Sequence, residues 1–369
     1  MGAGGGVSVR NGMEQGMAEI ADKVMAGGRI SDAEFLALER DADLYQLAFL
    51  ADAIRRRLHP EGLVTYVVDR NINYTDICIS ACKFCAFFTA PEDPTGYVLT
   101  FAQLEQKIRE TQELGGTQIL LQGGLHPDKP LEYYEEMLRF MKGTGIHVHG
   151  FSPPEVCHFA TLSGLTISEV LRRLIAAGLD SIPGGGAEIL CDRVRQATAP
   201  RKCTADQWIA VMEEAHNQGL RTTATMMFGH IETAGERLEH LRRLRELQDR
   251  TGGFTAFIPW PFQPDNTALA QQVGIEKTTG MGYLRMLALS RIYLDNFDNI
   301  QASWVTQGPK IAQLSLYFGA NDFGSTMLEE NVVAAAGVSF RLSEQEIRRL
   351  VVDAGFAPRQ RLMDYTVIV

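Results

Sequence analysis

The chain has 369 residues, of which 45% are apolar and 22% charged, and its formal net charge is −10. This composition is that of a globular protein with a substantial core, and the acidic balance excludes nucleic acid as a main partner, because phosphate binding needs a basic surface. No apolar run approaches membrane-spanning length, so we expect no membrane insertion.

Helical patterns dominate the amino-terminal part of the chain. Residues 1–12 are rich in glycine and predict a disordered tail without the basic and apolar segments of a signal peptide. Residues 13–58 have helical apolar spacing, and Ser31 with Glu34 has the spacing of a capping box. We therefore predict a small helical cap over residues 13–58. Six cysteines and no export signal favour the reducing cytoplasm.

After residue 59, short β-rich runs alternate with amphipathic helices. The predicted strands are 71–75, 118–122, 147–151, 180–182, 221–226, 254–258, 299–303 and 316–318. Capping boxes at Thr100, Thr166 and Thr204 mark the starts of helices between them. Eight strands alternating with helices predict an α/β fold, a (β/α)8 TIM-type barrel over residues 59–337. A partial six-stranded barrel is the alternative.

A short extension follows the predicted barrel. Ser343 and Glu346 have capping-box spacing at the start of an amphipathic helix, and residues 365–369 form an apolar run typical of a strand. We predict that residues 338–369 form a helix and a strand that pack on the barrel or on the cap.

Three cysteines, Cys78, Cys82 and Cys85, follow the first predicted strand with C-x3-C-x2-C spacing. Cysteine thiolates are the usual ligands of iron–sulfur clusters, and three ligands on a four-iron cluster leave one iron open, which indicates chemistry rather than scaffolding. Zinc with a fourth ligand elsewhere is an alternative, although no second C-x2-C follows. A disulfide is another, although six cysteines are few for a stapled fold. The isolated cysteines, predicted to be buried apolar residues, are Cys157, Cys191 and Cys203.

Polar or glycine-rich segments follow nearly every predicted strand. In a β/α barrel, chemistry collects at the carboxyl ends of the strands, so these segments are expected to share a rim with the three cysteines. Singly, each segment has an ordinary structural explanation, because glycine pairs form turns and lone histidines are commonly structural. Their shared position favours a site. The polar candidates are Gln122, Ser152, Glu188, His230, Glu232 and Asp322.

The cysteine run, with Phe84 before its last cysteine, resembles the signature of the radical S-adenosylmethionine (radical SAM) superfamily. Segments elsewhere in the predicted barrel narrow the resemblance to one family within this superfamily. They are residues 64–75, 121–124, 151–155, 180–188, 226–230 and 321–326. Between Leu63 and Gly337 the chain resembles the cyclic dehypoxanthinyl futalosine synthases, radical SAM enzymes of the futalosine route to menaquinone.

This resemblance implies a cofactor and a reaction. Cys78, Cys82 and Cys85 are expected to hold a 4Fe–4S cluster, whose open iron binds the co-substrate S-adenosylmethionine and cleaves it to methionine and a 5′-deoxyadenosyl radical. The radical takes the ribose C4′ hydrogen of dehypoxanthine futalosine, and the substrate radical attacks the benzoate-bearing ring. Loss of an electron and a proton gives the spirocyclic product. A one-electron reductant such as flavodoxin or ferredoxin is the implied protein partner.

The resemblance also implies roles for rim residues. Phe84 is expected on the adenine. The remaining expected cofactor contacts are the backbone of Gln122, Gly123 and Gly124, with Ser152 and Glu188. Candidates for substrate binding and final proton removal are His230, Glu232, Asp322 and Glu330. Candidate benzoate-binding cations are Arg70, Arg193 and Arg291, and further candidate substrate contacts are Asn321 and Ser325.

Two alternatives stay open at this point. A sister radical SAM enzyme, either aminofutalosine synthase or the tyrosine-using subunit of deazaflavin-cofactor synthase, shares the cluster but acts on another substrate. A non-catalytic iron–sulfur carrier needs a fourth protein ligand, which only Cys157, Cys191 or Cys203 supplies as a thiolate. A carrier needs neither an open iron nor an elaborate barrel rim, so the sequence favours an enzyme.

Overall fold

The computed structural model describes residues 5–368. Its strands are β1 (Leu63–Val67), β2 (Asp69–Asn73), β3 (Gln118–Gln122), β4 (His147–Gly150), β5 (Ser181–Ile182), β6 (Arg221–Phe228), β7 (Phe254–Pro261), β8 (Asn299–Ile300), β9 (Asp322–Ser325) and β10 (Ala357–Gln360). Its helices are α1 (Gly5–Met25), α2 (Asp32–Asp41), α3 (Leu44–Leu58), α4 (Phe101–Glu113), α5 (Leu131–Lys142), α6 (Pro153–Ser163), α7 (Ile167–Ala177), α8 (Asp192–Thr198), α9 (Ala205–Asn217), α10 (Ala234–Thr251), α11 (Ala268–Val273), α12 (Gly280–Tyr293), α13 (Trp304–Ser315), α14 (Val332–Ala335) and α15 (Glu344–Asp353).

Two parallel sheets close into one barrel. Strands β2 to β8 pair in chain order, and β1 lies between β9 and β10. Strand β9 joins the two sheets, because the Ala302 N–H donates to the Asp322 carbonyl at 2.8 Å and the Leu328 N–H donates to the Asp69 carbonyl at 3.1 Å. Only Val68 separates β1 from β2, so these two strands share one position in the barrel. The predicted TIM-type β/α barrel is confirmed.

Side-chain caps fix the starts of several helices. Capping boxes form at every position where the sequence predicts one, namely Ser31, Thr100, Thr166, Thr204 and Ser343. In each box the hydroxyl and the side chain three residues later satisfy two backbone donors that lack a partner within the helix. Helices on the outside cover the strands, whose outward-facing side chains, such as Ile119, Leu121 and Val148, are buried, whereas the inward faces carry polar residues such as Asn71 and Gln118.

The predicted helical cap packs against one side of the barrel. Helix α3 lies along α12, and the Phe35 and Tyr293 rings meet edge to face with centroids 5.1 Å apart. Helix α1 begins at Gly5, inside the stretch expected to be a disordered tail, and residues 1–4 of that stretch lie outside the described residues. No helix within residues 5–368 has both the length and the apolar character needed to cross a membrane.

The predicted strand at residues 316–318 is wrong. Leu316 and Phe318 lie in the turns that end α13, and the eighth barrel strand is β9. Alternating burial of these two residues imitates a strand, whereas β9 contains Asp, Gly and Ser, which have low strand propensity. Buried side-chain hydrogen bonds hold β9 in place; the Thr65 hydroxyl, for example, donates to Asp322 Oδ2 at 2.6 Å.

The predicted extension consists of a helix and a strand, but the strand occurs earlier than residues 365–369. Helix α15 follows its cap at Ser343, and β10 then pairs parallel with β1. After β10 the chain turns back, and Arg361 forms a single antiparallel bridge with Val367. Residue 369 lies outside the described residues. This turn carries Arg361 into the base of the barrel, where it binds Asp322.

Candidate active site

The cysteine loop follows β2 at the carboxyl end of the barrel strands. Cys82 is buried, whereas Cys78 and Cys85 are half-buried, and all three thiols are free. Backbone bonds attach the loop to its surroundings. The Ile79 N–H donates to the Leu125 carbonyl at 3.0 Å, which ties the loop to the segment after β3. The sequence thus places three thiols at the rim on a loop held by the barrel.

The three thiols fit an iron–sulfur cluster in donor type and surroundings. The N–H groups of Ser80 and Leu125 donate to Cys78 Sγ at 3.4 and 3.3 Å, and such bonds stabilise and tune cluster thiolates. Burial raises the pKa of Cys82 to about 11 and raises that of Cys85 as well. Both are therefore neutral thiols until a metal displaces their protons. Within residues 5–368, no three His, Cys, Asp or Glu side chains are already grouped as a metal site requires.

One buried carboxylate ties together the ends of three strands. Glu155 Oε1 accepts from the Tyr74 hydroxyl at 2.7 Å and from the Gly123 N–H at 3.1 Å. Its Oε2 accepts from the N–H and hydroxyl of Ser152 at 2.7 and 2.6 Å. Tyr74, Gly123 and Ser152 follow β2, β3 and β4, respectively, so Glu155 fixes the relative positions of the segments around the cysteine loop.

We expect Glu155→Ala to destabilise the protein strongly. The substitution leaves four buried donors without their acceptor, and the loss of one side of such a network costs about 3 to 5 kcal/mol. Denaturant unfolding of the cluster-free protein measures this difference. Glu155→Gln is the matched variant, and we expect a smaller loss because an amide oxygen remains. Equal free energies of unfolding for the wild type and the alanine variant would contradict this assignment.

Lys202, a residue that the sequence did not identify as part of the site, contacts both Phe84 and Glu188. Lys202 Nζ lies 5.0 Å from the Phe84 ring centroid and 3.0 Å from Glu188 Oε1. Arg195 Nη1 lies 3.6 Å from the other carboxylate oxygen of Glu188. The backbone of Glu188 has a φ of +41°, a conformation that costs energy for a non-glycine residue and often occurs at functional sites. Two cations therefore hold one rim carboxylate beside the cysteine loop.

A cavity of about 270 Å³ occupies the barrel interior and contains several of the predicted residues. The predicted residues that line it are Gln122, Glu188, Ser325 and Glu330. The polar and aromatic lining residues that sequence reasoning missed are Asp69, Asn71, Gln118, His149, Thr223, Thr225, Trp260, Gln301, Ser303, Trp304, Thr306 and Arg361. Most of these point inward from strands, where alternation of side chains offered a signal; Arg361 comes from the distant carboxyl-terminal turn and offered none.

Glu330 and Ser325 have defined partners at the cavity wall. Glu330 accepts from Asn71 Nδ2 at 2.9 Å and from the Val333 N–H at 2.8 Å, and burial raises the pKa of its carboxyl group. The Ser325 hydroxyl donates to the buried Asp69. Both predicted residues are therefore within reach of a molecule in the cavity.

Correcting the eighth strand moves two predicted rim residues to the opposite end of the barrel. Asn321 and Asp322 stand at the start of β9 rather than after its end. Asp322 binds Arg361 Nε at 2.5 Å, and Asn321 Oδ1 accepts from Arg291 Nη2 at 2.7 Å. Arg291 also donates to the Gly319 carbonyl at 2.8 Å. These residues build the base of the barrel, far from the cysteine loop.

His230 and Glu232 lie at the rim, and each is hydrogen-bonded to the backbone, whereas no described residue is hydrogen-bonded to His230 Nδ1. His230 Nε2 lies 3.0 Å from the Met227 carbonyl, and its Nδ1 lies 3.2 Å from Glu232 Oε2. Glu232 also accepts from the Gly229 N–H at 2.7 Å. Burial lowers the pKa of His230. Neither residue is among the described residues that line the barrel cavity.

The other two candidate arginines bind acidic residues outside the cavity. Arg70 donates to Glu110 at 2.8 Å on the outer face of β2. Arg193 pairs with Glu236 at 2.5 Å and remains 55% exposed. Of the described residues that line the cavity, Arg361 is the one arginine or lysine.

The three cysteines outside the loop, predicted to be buried, are half-buried, and two of them are neighbours. A hydrogen bond between the Cys157 and Cys203 thiols raises the pKa of Cys157 and lowers that of Cys203. The Cys191 thiol donates to Glu236 at 3.5 Å. Each of the three thiols thus has a partner outside the cysteine loop.

Two family domains account for most of the chain. The radical SAM superfamily domain matches residues 72–244, and the CofH/MqnC C-terminal region matches residues 251–368. The cyclic dehypoxanthine futalosine synthase of Streptomyces coelicolor is 48% identical over 95% of this chain and 88% of its own length. That of Halalkalibacterium halodurans is 44% identical over 95% of this chain and 94% of its own. The 5-amino-6-(D-ribitylamino)uracil–L-tyrosine 4-hydroxyphenyl transferase of Methanopyrus kandleri is 41% identical over 95% and 97%, respectively.

Solved structures of more distant proteins share the fold. Methylornithine synthase (PylB) superposes with a TM-score of 0.72 at 18% identity, over 92% of this chain and 97% of that one. The FeFe-hydrogenase maturase HydG from Carboxydothermus hydrogenoformans superposes with a TM-score of 0.74 at 17% identity, over 96% and 82%, respectively. From its barrel, its three-cysteine loop and these relatives, the chain belongs to the radical SAM superfamily of enzymes, in the family of the cyclic dehypoxanthine futalosine synthases.

Proposed function

We propose that this enzyme converts dehypoxanthine futalosine into its cyclic form, a step of menaquinone biosynthesis. The observation that carries the proposal is the identity of 44% and 48% to two cyclic dehypoxanthine futalosine synthases over 95% of the chain. The geometry supports it, because a mainly apolar cavity with several polar side chains lies inside the barrel and reaches Glu188 and Gln122 beside the cysteine loop. A substrate held there lies next to the place where a radical forms.

Cys78, Cys82 and Cys85 would hold the 4Fe–4S cluster after turning their thiols toward one point. When bound, the cluster supplies the electron that cleaves S-adenosylmethionine to methionine and a 5′-deoxyadenosyl radical, and it takes back the electron that the substrate loses at the end. A flavodoxin or ferredoxin is the proposed first electron donor. The six free cysteines are consistent with a reducing cytoplasm.

The residues of the chain bind and orient S-adenosylmethionine. Phe84 offers a ring face to the adenine. The N–H groups of Gly123 and Gly124 already donate to Glu155 and to the Thr75 carbonyl, so the carbonyl oxygens of this segment are the acceptors left for the methionine amino group. Ser152 and Glu188 are the remaining contacts, and Lys202 with Arg195 fixes the position of Glu188.

The barrel cavity positions the substrate and excludes other hydrogen sources. A primary carbon radical abstracts nearly any accessible hydrogen, so the enzyme must hold the ribose C4′ hydrogen nearest to it. Amide and hydroxyl groups such as Asn71, Gln118 and Thr223 are suited to the ribose and carboxylate oxygens, and Trp260 is suited to the aromatic ring. Arg70 and Arg193 do not line the cavity, so their role in binding the benzoate stays a prediction.

The 41% identity to the tyrosine transferase makes a sister reaction the second candidate. An anaerobically reconstituted enzyme should be incubated with S-adenosylmethionine, a reductant and one substrate at a time. The substrates are dehypoxanthine futalosine, the aminofutalosine synthase substrate, and tyrosine with the ribitylamino uracil. We expect only dehypoxanthine futalosine to give a product lighter by two hydrogens in mass spectrometry. Conversion of another substrate, with no cyclised product, would refute the proposal.

A further inference from the structure

Two histidines on one strand and a serine on the next form an unbroken hydrogen-bonded chain. His147 and His149 are two residues apart in β4, so both side chains lie on the same face of the sheet. Ser181 is the register partner of His149 in β5. The Ser181 hydroxyl oxygen lies 2.7 Å from His149 Nδ1 and 2.7 Å from His147 Nε2. The three groups are thus directly connected without a water molecule.

The two ends of this chain reach different cavities. His149 lines the barrel cavity, and no described residue is hydrogen-bonded to its Nε2, which is not enclosed. His147 lines a separate cavity of about 420 Å³ at the amino ends of the strands, together with Asp180 and Asp364. The chain therefore crosses the base of the barrel, from the substrate cavity to an opening on the opposite side.

We propose that His149, Ser181 and His147 form a proton relay that removes the proton lost in the last step of the cyclisation. This inference rests on the proposed function, because only the cyclising reaction ends with the loss of a ring proton in this cavity. His149 is the catalytic base in the relay, and Ser181 and His147 carry the proton onward. The cluster that Cys78, Cys82 and Cys85 would hold would accept the electron lost in the same step.

The transfer balances with neutral rings. At the start, both histidines carry their proton on Nδ1. The Nδ1–H of His149 donates to the Ser181 hydroxyl oxygen, and the Ser181 hydroxyl donates to Nε2 of His147. When the substrate carbon loses its proton to His149 Nε2, the Nδ1 proton moves to Ser181 and the serine proton moves to His147. The Nδ1 proton of His147 then leaves to water in the basal cavity. The carbon–hydrogen electron pair stays on the ring and restores its aromaticity.

The electrostatics keep the relay in the neutral form that it needs. Burial, together with the neighbouring His147 and Arg361, lowers the pKa of His149 to about 3. Burial also lowers the pKa of His147, opposed by Asp180 and Asp364 and assisted by Lys142. Both rings are therefore unprotonated near pH 7 and able to accept a proton. A one-electron-oxidised ring adduct is a strong carbon acid, so a weak base is sufficient when it is well placed.

Glu330 is one competing base in the same cavity; the carboxyl groups of Asp69 and Glu188 also line it and are held by Ser325 and Lys202, respectively. The carboxyl group of Glu330 is buried and accepts from Asn71 Nδ2 and the Val333 N–H. No hydrogen bond among the described residues connects it to the basal cavity, so it offers a proton acceptor but no exit. His149 and Glu330 are distinguished by which substitution lowers the yield of cyclised product while 5′-deoxyadenosine still forms.

The test measures the ratio of cyclised product to 5′-deoxyadenosine in His149→Gln, Ser181→Ala and Glu330→Gln. Hydrogen abstraction precedes proton removal, so the first two variants should still transfer deuterium from C4′ to 5′-deoxyadenosine. We expect their product ratio to fall at least about tenfold, with cluster content unchanged. His216→Gln is the matched control, because His216 is a half-buried histidine whose ring is also held by hydroxyl groups, those of Thr251 and Thr222, and lies outside the cavity; its ratio should equal that of the wild type.

Each outcome decides the question. A wild-type ratio in both His149→Gln and Ser181→Ala would overturn the relay while leaving the proposed function intact, as would uncoupling by Glu330→Gln alone. If His149→Gln fails to fold, Ser181→Ala decides, because it removes only one hydroxyl group from the relay. Failure of the wild type to make cyclised product would overturn the proposed function, and the relay with it.

Discussion

Cys82→Ala is expected to abolish both cluster assembly and S-adenosylmethionine cleavage. Cys82 is the most deeply buried of the three thiols, with the Ser80 hydroxyl 3.1 Å from its sulfur and the charge of Lys202 lowering its pKa against the effect of burial. Alanine leaves two thiolates, which is too few for a four-iron cluster with one open position. The iron and sulfide content measured after anaerobic reconstitution should fall to background, and no 5′-deoxyadenosine should form.

Cys203→Ala is the matched control for this experiment. Cys203 is a half-buried thiol whose partner is Cys157 and not a residue of the cysteine loop. We expect this variant to keep its iron, its sulfide and its S-adenosylmethionine cleavage. Full activity of Cys82→Ala would refute the ligand assignment, and loss of the cluster in Cys203→Ala would revive a fourth protein ligand and the electron-carrier alternative.

Gly124→Ala is expected to have the second-largest effect, because the backbone of the cysteine loop lies directly against Gly124. A Cβ at this position would lie 2.2 Å from the Ile77 carbonyl oxygen and 2.9 Å from Cys78 Cβ. Backbone atoms cannot rotate away as a flexible side chain can, so the loop that carries Cys78 must shift. The next residue, Leu125, donates to Cys78 Sγ at 3.3 Å, and this bond is strained by the same shift.

We expect Gly124→Ala to lower cluster content several-fold and to reduce the free energy of unfolding by about 1 to 3 kcal/mol, as overpacking does. Gly235→Ala is the control. Gly235 lies in α10, its φ is not positive, and the nearest atom to an added Cβ, Thr233 Oγ1, is 3.9 Å away. Alanine favours the helix by up to about 1 kcal/mol, so this variant should be at least as stable as the wild type. Unchanged cluster content in Gly124→Ala would show that the loop tolerates displacement.

The sequence predicts most of the barrel because local signals coincide with the tertiary structure. Capping boxes such as Thr100 with Gln103 fix helix starts, and apolar runs such as Gln118–Gln122 become buried strands. Strand β9 lacks such a signal. Asp322 is buried only because Thr65 and Arg361 bind it, and both are distant in the sequence.

Part of the candidate site could likewise be predicted from the sequence, and part could not. The spacing of Cys78, Cys82 and Cys85 is local, so the loop could be predicted and the structure places it at the rim. The position of Glu188 could be predicted, but its partner Lys202 could not, because their contact depends on how the segment after α8 folds back. His149 had a usable signal in the alternation of His147, Val148 and His149, which places two histidines on one face of a strand.

The fate of the ribose C4′ hydrogen tests the central claim most directly. Dehypoxanthine futalosine deuterated at C4′ should be incubated with the reconstituted enzyme, S-adenosylmethionine and a reductant, and both products analysed by mass spectrometry. We predict one deuterium in 5′-deoxyadenosine and none in the cyclised product. Unlabelled 5′-deoxyadenosine, or labelled 5′-deoxyadenosine formed by the wild type without any cyclised product, would contradict the account.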